Sequence, residues 1–299
     1  MTKGAPHGVF VPITTPFDDT TGDVAPVVLR DNARSILSAG ASGIVAAGST
    51  GEASLLSDVE FRQVVQWLRD VVPDDRWLVA GTGRESTRAT VAACVAAGEE
   101  GADAVLVRAP SYYGPVFTTQ SLIDHFRRIA DESPVPIILY NFPRYTHVPI
   151  TEQIVAALAN HEHVVGAKDS AGDLKNFVAF RERAPRWSLF IGPGALFYPA
   201  LELGAAGAIA AVACFATRQT VEIGTAFDAG DKTTAGALQE LVAPLHKTIV
   251  GELGVPGIKA AMDAVGLVGG APRPPIPVLT DRDRDRVHRL LREAKLLHS

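Results

Sequence analysis

The chain has 299 residues, 47% of them hydrophobic and 20% charged, with a formal net charge of −5. That composition supports a large core and excludes a disordered chain, and the acidic balance gives no electrostatic footprint for nucleic acid. No apolar run reaches the roughly 18 residues of a membrane span, residues 1–8 lack the apolar stretch of a signal peptide, and Cys94 and Cys214, each alone in apolar surroundings, make neither a disulfide framework nor a thiolate metal site. A cytoplasmic globular α/β protein is the class left.

In chain order, short β-branched apolar runs alternate with amphipathic segments. Strands are predicted at 9–13, 44–47, 77–80, 104–107, 137–140, 164–168, 189–191 and 208–212. They read as continuous apolar runs, as strands covered on both faces do. Helices are predicted between them at 25–39, 57–72, 86–100, 118–130, 151–158, 173–183, 195–203 and 217–229. The second of these is the clearest. Ser57 and Glu60 make a capping box, and Phe61, Val64, Val65 and Leu68 share one face. The turns at 39–43, 101–103 and 203–207 put glycine where a helix C-cap needs a left-handed residue.

Eight strand–helix units in series predict a (β/α)8 TIM barrel. The rival, a doubly wound open sheet, lacks Gly-x-Gly-x-x-Gly after its first strand. Beyond residue 230 the strand signals stop, and helices are predicted at 232–250, 257–265 and 280–297. The barrel and its active site are therefore assigned to 1–229, and a C-terminal three-helix extension to 230–299. The Pro/Gly-rich stretch 269–277 reads as a loop, and the alternating charges of 281–289 as a solvated helix face.

In a barrel, function sits where strands end. Lys168 ends the sixth strand, behind Val164-Val165-Gly166-Ala167, while the other six lysines fall in predicted helices, loops or the N-terminal tail. A buried ammonium responds by lowering its pKa, and a depressed lysine is an amine nucleophile able to form a Schiff base. The other reading is a structural lysine paired with Asp169 or Glu52. Ser49 and Thr50, between glycines, offer hydroxyls and N–H groups to a carboxylate, or form only a tight turn. Tyr140 is either a proton shuttle or a rim aromatic, and Tyr112 and Tyr113 carry the same ambiguity. Gly192-Pro193-Gly194 either admits a ligand close to the backbone or is a plain turn. His161 and His163 precede the sixth strand, at the end of the barrel away from function, and read as surface histidines. Asp18 and Asp19 lack the partners for a metal site.

Gly48-Ser49-Thr50-Gly51-Glu52, Tyr140-Asn141-x-Pro143 and Gly166-x-Lys168-Asp169, in that order, resemble the motifs of the dihydrodipicolinate synthase/N-acetylneuraminate lyase family over nearly the whole chain. The resemblance implies a (β/α)8 barrel, a homotetramer, no metal or organic cofactor, and class I aldolase chemistry on pyruvate or another 2-keto acid. It implies that Lys168 is the Schiff-base lysine, that Tyr140 shuttles protons and that Ser49 belongs to the relay. It further implies that Thr50 holds the pyruvate carboxylate and that Tyr112 reaches into a neighbouring subunit's site. Gly192 and Ile209 match pocket positions.

Synthases of the family carry arginine two residues after the proline of Tyr-Asn-x-Pro. Here Tyr145 stands there, with Arg144 one place earlier, and a tyrosine cannot make the bidentate pair an arginine makes with a carboxylate. Residues 80–87, 110–113, 168–170 and 254–259 resemble 4-hydroxy-2-oxoglutarate aldolases more closely, in which Ser170 matches a substrate-contacting serine, although Thr50 stands where the animal form has asparagine. The expected activity is therefore retro-aldol cleavage of 4-hydroxy-2-oxoglutarate, or a close 2-keto acid, to pyruvate and an aldehyde. The alternative is a 4-hydroxy-tetrahydrodipicolinate synthase, condensing pyruvate with aspartate semialdehyde. It turns on whether Arg144 replaces the missing arginine, which is not expected because neighbours on an extended chain point in different directions. A third reading, a catalytically idle barrel that senses 2-keto acids, leaves the full set of Lys168, Tyr140, Ser49 and Tyr112 without a purpose.

Overall fold

The computed structural model describes residues 4–297. The first three residues of the stretch read above for a signal peptide, and the last two of the C-terminal extension, lie outside the described residues. Eight strands, β1 (Gly8–Pro12), β2 (Gly43–Ala46), β3 (Trp77–Gly81), β4 (Ala104–Arg108), β5 (Ile137–Asn141), β6 (Val164–Asp169), β7 (Ser188–Ile191) and β8 (Gly207–Ile209), close into one parallel barrel in sequence order. The helices are α1 (Pro26–Ser38), α2 (Asp58–Arg69), α3 (Thr87–Glu99), α4 (Thr119–Glu132), α5 (Pro143–Thr146), α6 (Glu152–Leu158), α7 (Lys175–Arg183), α8 (Phe197–Glu202), α9 (Thr217–Asp228), α10 (Lys232–Leu245), α11 (Gly254–Ala264) and α12 (Asp281–Glu293). None is long and apolar enough to cross a membrane.

Alternation along each strand separates two cores. Phe10, Val45, Val79, Leu106, Ile138, Tyr140, Phe190 and Ile209 fill the barrel interior, where Phe10 and Phe190 meet edge to face at 5.2 Å. Val9, Val11, Ile44, Leu78, Val105, Val107 and Leu139 pack outward under the helices. Both faces of the sheet are covered, which is why the strands read as unbroken apolar runs. The capping box of Ser57 and Glu60 is formed, and Phe61, Val64, Val65 and Leu68 are the buried face of α2.

Two expectations shift. The eighth strand ends at Ile209, and Ala211–Cys214 is a 3-10 turn. That run is apolar because it is buried under the C-terminal helices, not because it pairs with a strand. The helix predicted over 232–250 changes character midway, since α10 passes into a π-helix, His246–Glu252. Pro244 has no N–H to give the carbonyl four residues back and crowds it, and the wider turns follow directly.

A buried charge cluster ties the C-terminal region to the barrel. Lys259 of α11 is fully buried and lies 2.6 Å from the Glu52 carboxylate. It also donates to the Ala271 carbonyl at 2.9 Å and sits over the Phe17 ring. The Arg273 N–H donates to the other Glu52 oxygen at 2.8 Å, and the Arg273 guanidinium grips both oxygens of Glu60. That grip holds the Glu60 carboxyl down at about 2. Burial pulls the Lys259 pKa down, against the attraction of Glu52. Breaking one side of a buried pair leaves an uncompensated charge at a cost of about 3–5 kcal/mol. Lys259→Met should lose that much in urea unfolding, and Lys259→Met/Glu52→Gln should recover part of it. A double variant as unstable as the sum of its singles would contradict the pairing.

Candidate active site

On β6, Ala167 packs outward and Lys168 points into the barrel, where its side chain is 6% exposed. Its register partner on β5 is Tyr140, and the amine sits 4.2 Å from the centre of the tyrosine ring. The two carboxylates that could have paired with it are engaged elsewhere. Glu52 holds Lys259, and Asp169 accepts from the Asn141 amide at 2.7 Å. Among the described residues Lys168 makes no ion pair, so the reading as a structural salt-bridge lysine falls. Burial is the main cause that pushes its pKa down to about 7, with nearby Cys214 acting weakly in the opposite sense. Burial also pushes the Cys214 thiol up to about 12, so near neutrality it stands beside the amine uncharged.

Burial likewise raises the Tyr140 phenol to about 12, and hydrogen bonds with the Ser49 and Ser170 hydroxyls pull it partly back. At neutral pH Tyr140 is a protonated phenol in contact with two hydroxyls, able to donate a proton and recover it. Asn141, next along β5, donates to Asp169 and accepts from the Ile150 N–H at 3.0 Å. The ends of β5 and β6, and with them Tyr140 and Lys168, are thereby locked in register.

Ser49 and Thr50 lie on a turn bounded by two left-handed residues, Ala47 (φ 47°) and Glu52 (φ 58°). Non-glycine residues adopt this conformation rarely, and it persists only when the surroundings hold it. The Lys259 pair and the Arg273 N–H fix Glu52, and the Thr15 hydroxyl donates to the Gly51 carbonyl at 2.7 Å. A Cβ on Gly81 would lie 2.2 Å from the Ala47 carbonyl oxygen, so only glycine lets β3 approach this turn. On the other side, a Cβ on Gly192 would lie 1.9 Å from the Ser170 hydroxyl. The glycine at 192 gives room to that hydroxyl beside Tyr140.

Ser49, Thr50, Tyr140, Lys168, Ser170, Gly192 and Ile209 line one cavity of about 630 Å³. Seven of the eight residues singled out in the sequence thus come together. The eighth, Tyr112, does not reach this cavity in its own chain. It is 78% exposed, stacks edge-on with Tyr113, and its N–H donates to Glu85. The cavity also has lining residues that sequence reasoning did not assign to it, among them Phe142, His246, Lys247, Val250 and Glu252. Pro244, inside the helix predicted over 232–250, is the sequence signal that could have marked a break before the π-helical part of this set.

Arg144 lines the cavity as well, which corrects the sequence expectation. Residues 143–146 form a helical turn, α5, not an extended stretch. The alternation that would have turned Arg144 away does not apply, and both Arg144 and Tyr145 face the cavity. The Tyr145 ring packs on Phe142 at 4.4 Å. Arg108, by contrast, is held by Glu85 at 3.0 Å. Away from the site, His161 bonds to Asp131 at 2.9 Å, and Asp18 accepts from the Thr20 and Thr21 N–H groups. No group of three or more His, Cys, Asp or Glu among the described residues is placed to hold a metal ion.

A desolvated lysine at the end of a barrel strand stands where barrel sites lie and is an amine able to form a Schiff base. The chain belongs to the dihydrodipicolinate synthetase family, which it matches over residues 5–294, and it is a lyase of that family. The reading as an idle sensor is thereby set aside. It is 35% identical over 293 residues to a 4-hydroxy-tetrahydrodipicolinate synthase of Methanopyrus kandleri, covering 97% of each chain. It is 34% identical to an uncharacterized DapA-like lyase of Halobacterium salinarum, over 97% of this chain and 95% of the other. The crystal structure of the dihydrodipicolinate synthase from Acinetobacter baumannii complexed with pyruvate superposes with a TM-score of 0.92 at 31% identity, over 97% and 99% of the two chains. The sequence expectation of a closer likeness to 4-hydroxy-2-oxoglutarate aldolases is corrected here, since the named relatives at this level are synthases.

The Lys168 pKa of about 7 has a direct readout. Acylation of Lys168 by a small reagent, followed by peptide mass, should be slow below pH 7, where the amine is protonated, and level off above it. A midpoint above about pH 9, nearer an ordinary lysine, would contradict the desolvated setting.

Proposed function

We propose that this chain makes and breaks the carbon–carbon bond between the methyl carbon of pyruvate and a carboxylate-bearing aldehyde, in the cytoplasm, with Lys168 as the imine-forming amine. The observation that carries the reading is a buried lysine with no ionic partner among the described residues, depressed to about 7, beside a protonated phenol in one cavity.

The free amine of Lys168 adds to C2 of pyruvate, whose carboxylate is received by the hydroxyls and N–H groups of the Ser49–Thr50 turn. Tyr140 gives a proton to the departing oxygen, water leaves, and a protonated imine remains. The imine draws in the electron pair of a C3–H bond as that proton passes to the Tyr140 phenolate, and an enamine forms. The enamine carbon attacks the aldehyde, the new alkoxide takes that proton from Tyr140, and the protonated imine returns. Water then adds to C2, the C–N bond breaks to free the amine, and the proton released restores the Tyr140 phenol. Run backwards, the same steps cleave a 4-hydroxy-2-keto acid. A positioned proton-transfer group contributes typically about 10²–10⁴-fold, so Tyr140→Phe should cripple turnover without abolishing it.

Condensation with aspartate semialdehyde, as in 4-hydroxy-tetrahydrodipicolinate synthases, is the reading supported by the relatives' names and by the Arg144 side chain on the cavity. Two observations favour cleavage of 4-hydroxy-2-oxoglutarate as a second reading. Tyr145, not arginine, stands two residues after Pro143, and the Ser170 hydroxyl turns toward Tyr140. Measuring kcat/KM for both reactions on one preparation separates them. Preference for aspartate semialdehyde supports the first, and preference for the hydroxy-keto acid overturns it.

We further propose that the active unit is a homotetramer in which Tyr112 of one copy completes the relay of another. Its exposure in the single chain supports this reading. Tyr112→Phe protein mixed with Lys168→Ala protein should regain activity through hybrid sites. A mixture that stays inactive despite demonstrated subunit exchange would show that Tyr112 does not act across an interface.

A further inference from the structure

The charge on the cavity wall is one-sided. Two cationic side chains, Arg144 and Lys247, line it beside the Lys168 amine, against one acid, Glu252. That acid is already taken, since Arg286 reaches its carboxylate at 2.6 Å. Arg144 and Lys247 are both exposed, and among the described residues neither makes an ion pair. In a chain with 33 acidic and 28 basic side chains, ion-pair partners for surface cations are plentiful. Arg108, which lines a neighbouring cavity together with Arg144, has one in Glu85.

The backbone bearing Lys247 is held in place. The π-helix begins at His246, directly before it, and π-turns inside helices concentrate at functional sites. The Gly194 N–H donates to Nδ1 of His246 at 3.3 Å. The Gln239 amide donates to the Gly194 carbonyl at 3.0 Å and accepts from the Tyr198 N–H at 2.7 Å. The start of the π-helix is therefore fastened to the turn after β7, which borders Lys168 on the barrel. Burial keeps the His246 ring neutral, with a pKa near 4, so at neutral pH it neither repels Lys247 nor competes with it for an anion.

We infer that Lys247, acting with Arg144, forms a two-cation rim that selects substrates carrying a second carboxylate remote from the keto-acid end. The inference rests on the lyase reading and narrows it. The Ser49–Thr50 turn and the imine serve the first carboxylate and the keto carbon. The rim serves an anion farther along the chain. Lys247 is a specificity residue in this account and takes no part in bond making.

Borohydride trapping on Lys168 tests this without knowledge of the natural aldehyde. The probes are pyruvate, 2-oxoglutarate and 2-oxopentanoate. The last two share a five-carbon length and differ in the second carboxylate. Peptide mass gives the half-saturating concentration of each. Wild-type protein should half-saturate with about tenfold less 2-oxoglutarate than 2-oxopentanoate, the size of one charge-assisted contact, and added salt should erode that preference. Lys247→Gln should lose most of the preference, and Lys247→Arg should keep it. A preference that survives Lys247→Gln, or an equal rise for all three acids, would overturn the role of Lys247 and leave the lyase reading standing. Failure of wild-type protein to trap pyruvate on Lys168 would overturn the lyase reading itself.

Discussion

Holding one amine inside an apolar barrel, with no counterion among the described residues, is the constraint on which the rest of this site depends. An ammonium so placed loses its hydration, and in most proteins a carboxylate moves in to compensate. Here the neighbouring carboxylates are engaged with other groups. Glu52 is turned toward Lys259 and Arg273, and Asp169 toward Asn141 and the Ala171 N–H. The amine answers by releasing its proton near neutrality, and this makes it a nucleophile. The same burial acts in the opposite direction on Tyr140 and keeps its phenol protonated. One desolvated environment thus yields a free base and a proton donor in contact.

The contacts that keep carboxylates away also build the site. Glu52 sits in a left-handed conformation at the end of the Ser49–Thr50 turn, and its ion pair reaches across to α11. The C-terminal helices therefore do more than cover the barrel, because they fix the turn that presents two hydroxyls to the cavity. The π-helix that follows α10 adds His246 and Lys247 to the same wall. Barrel and C-terminal region make one site between them.

Much of this was legible in the sequence. The eight apolar runs, the capping box at Ser57 and Glu60 and the lone strand lysine follow from local patterning, and local patterning survives into the fold. What the sequence hid depends on geometry that local pattern does not carry. Residues 143–146 looked extended after a strand, yet Pro143 opens a helical turn that brings Arg144 onto the cavity. Lys259 lay in a predicted helix and gave no sign of burial, because its partner Glu52 is more than two hundred residues away. Lys247 became visible only with the widening of the helix beyond Pro244. The run after β8 read as strand because burial and strand pairing favour the same residues.

The central claim is that Lys168 converts pyruvate into an enamine. Proton NMR of pyruvate in deuterated buffer, with no aldehyde present, tests it most directly. An enamine that forms and reverts exchanges the methyl hydrogens for deuterium. Wild-type protein should deplete the methyl signal at a rate proportional to enzyme, and Lys168→Met protein should leave it at the rate of buffer alone. Exchange at the wild-type rate in the Lys168→Met protein would contradict the account.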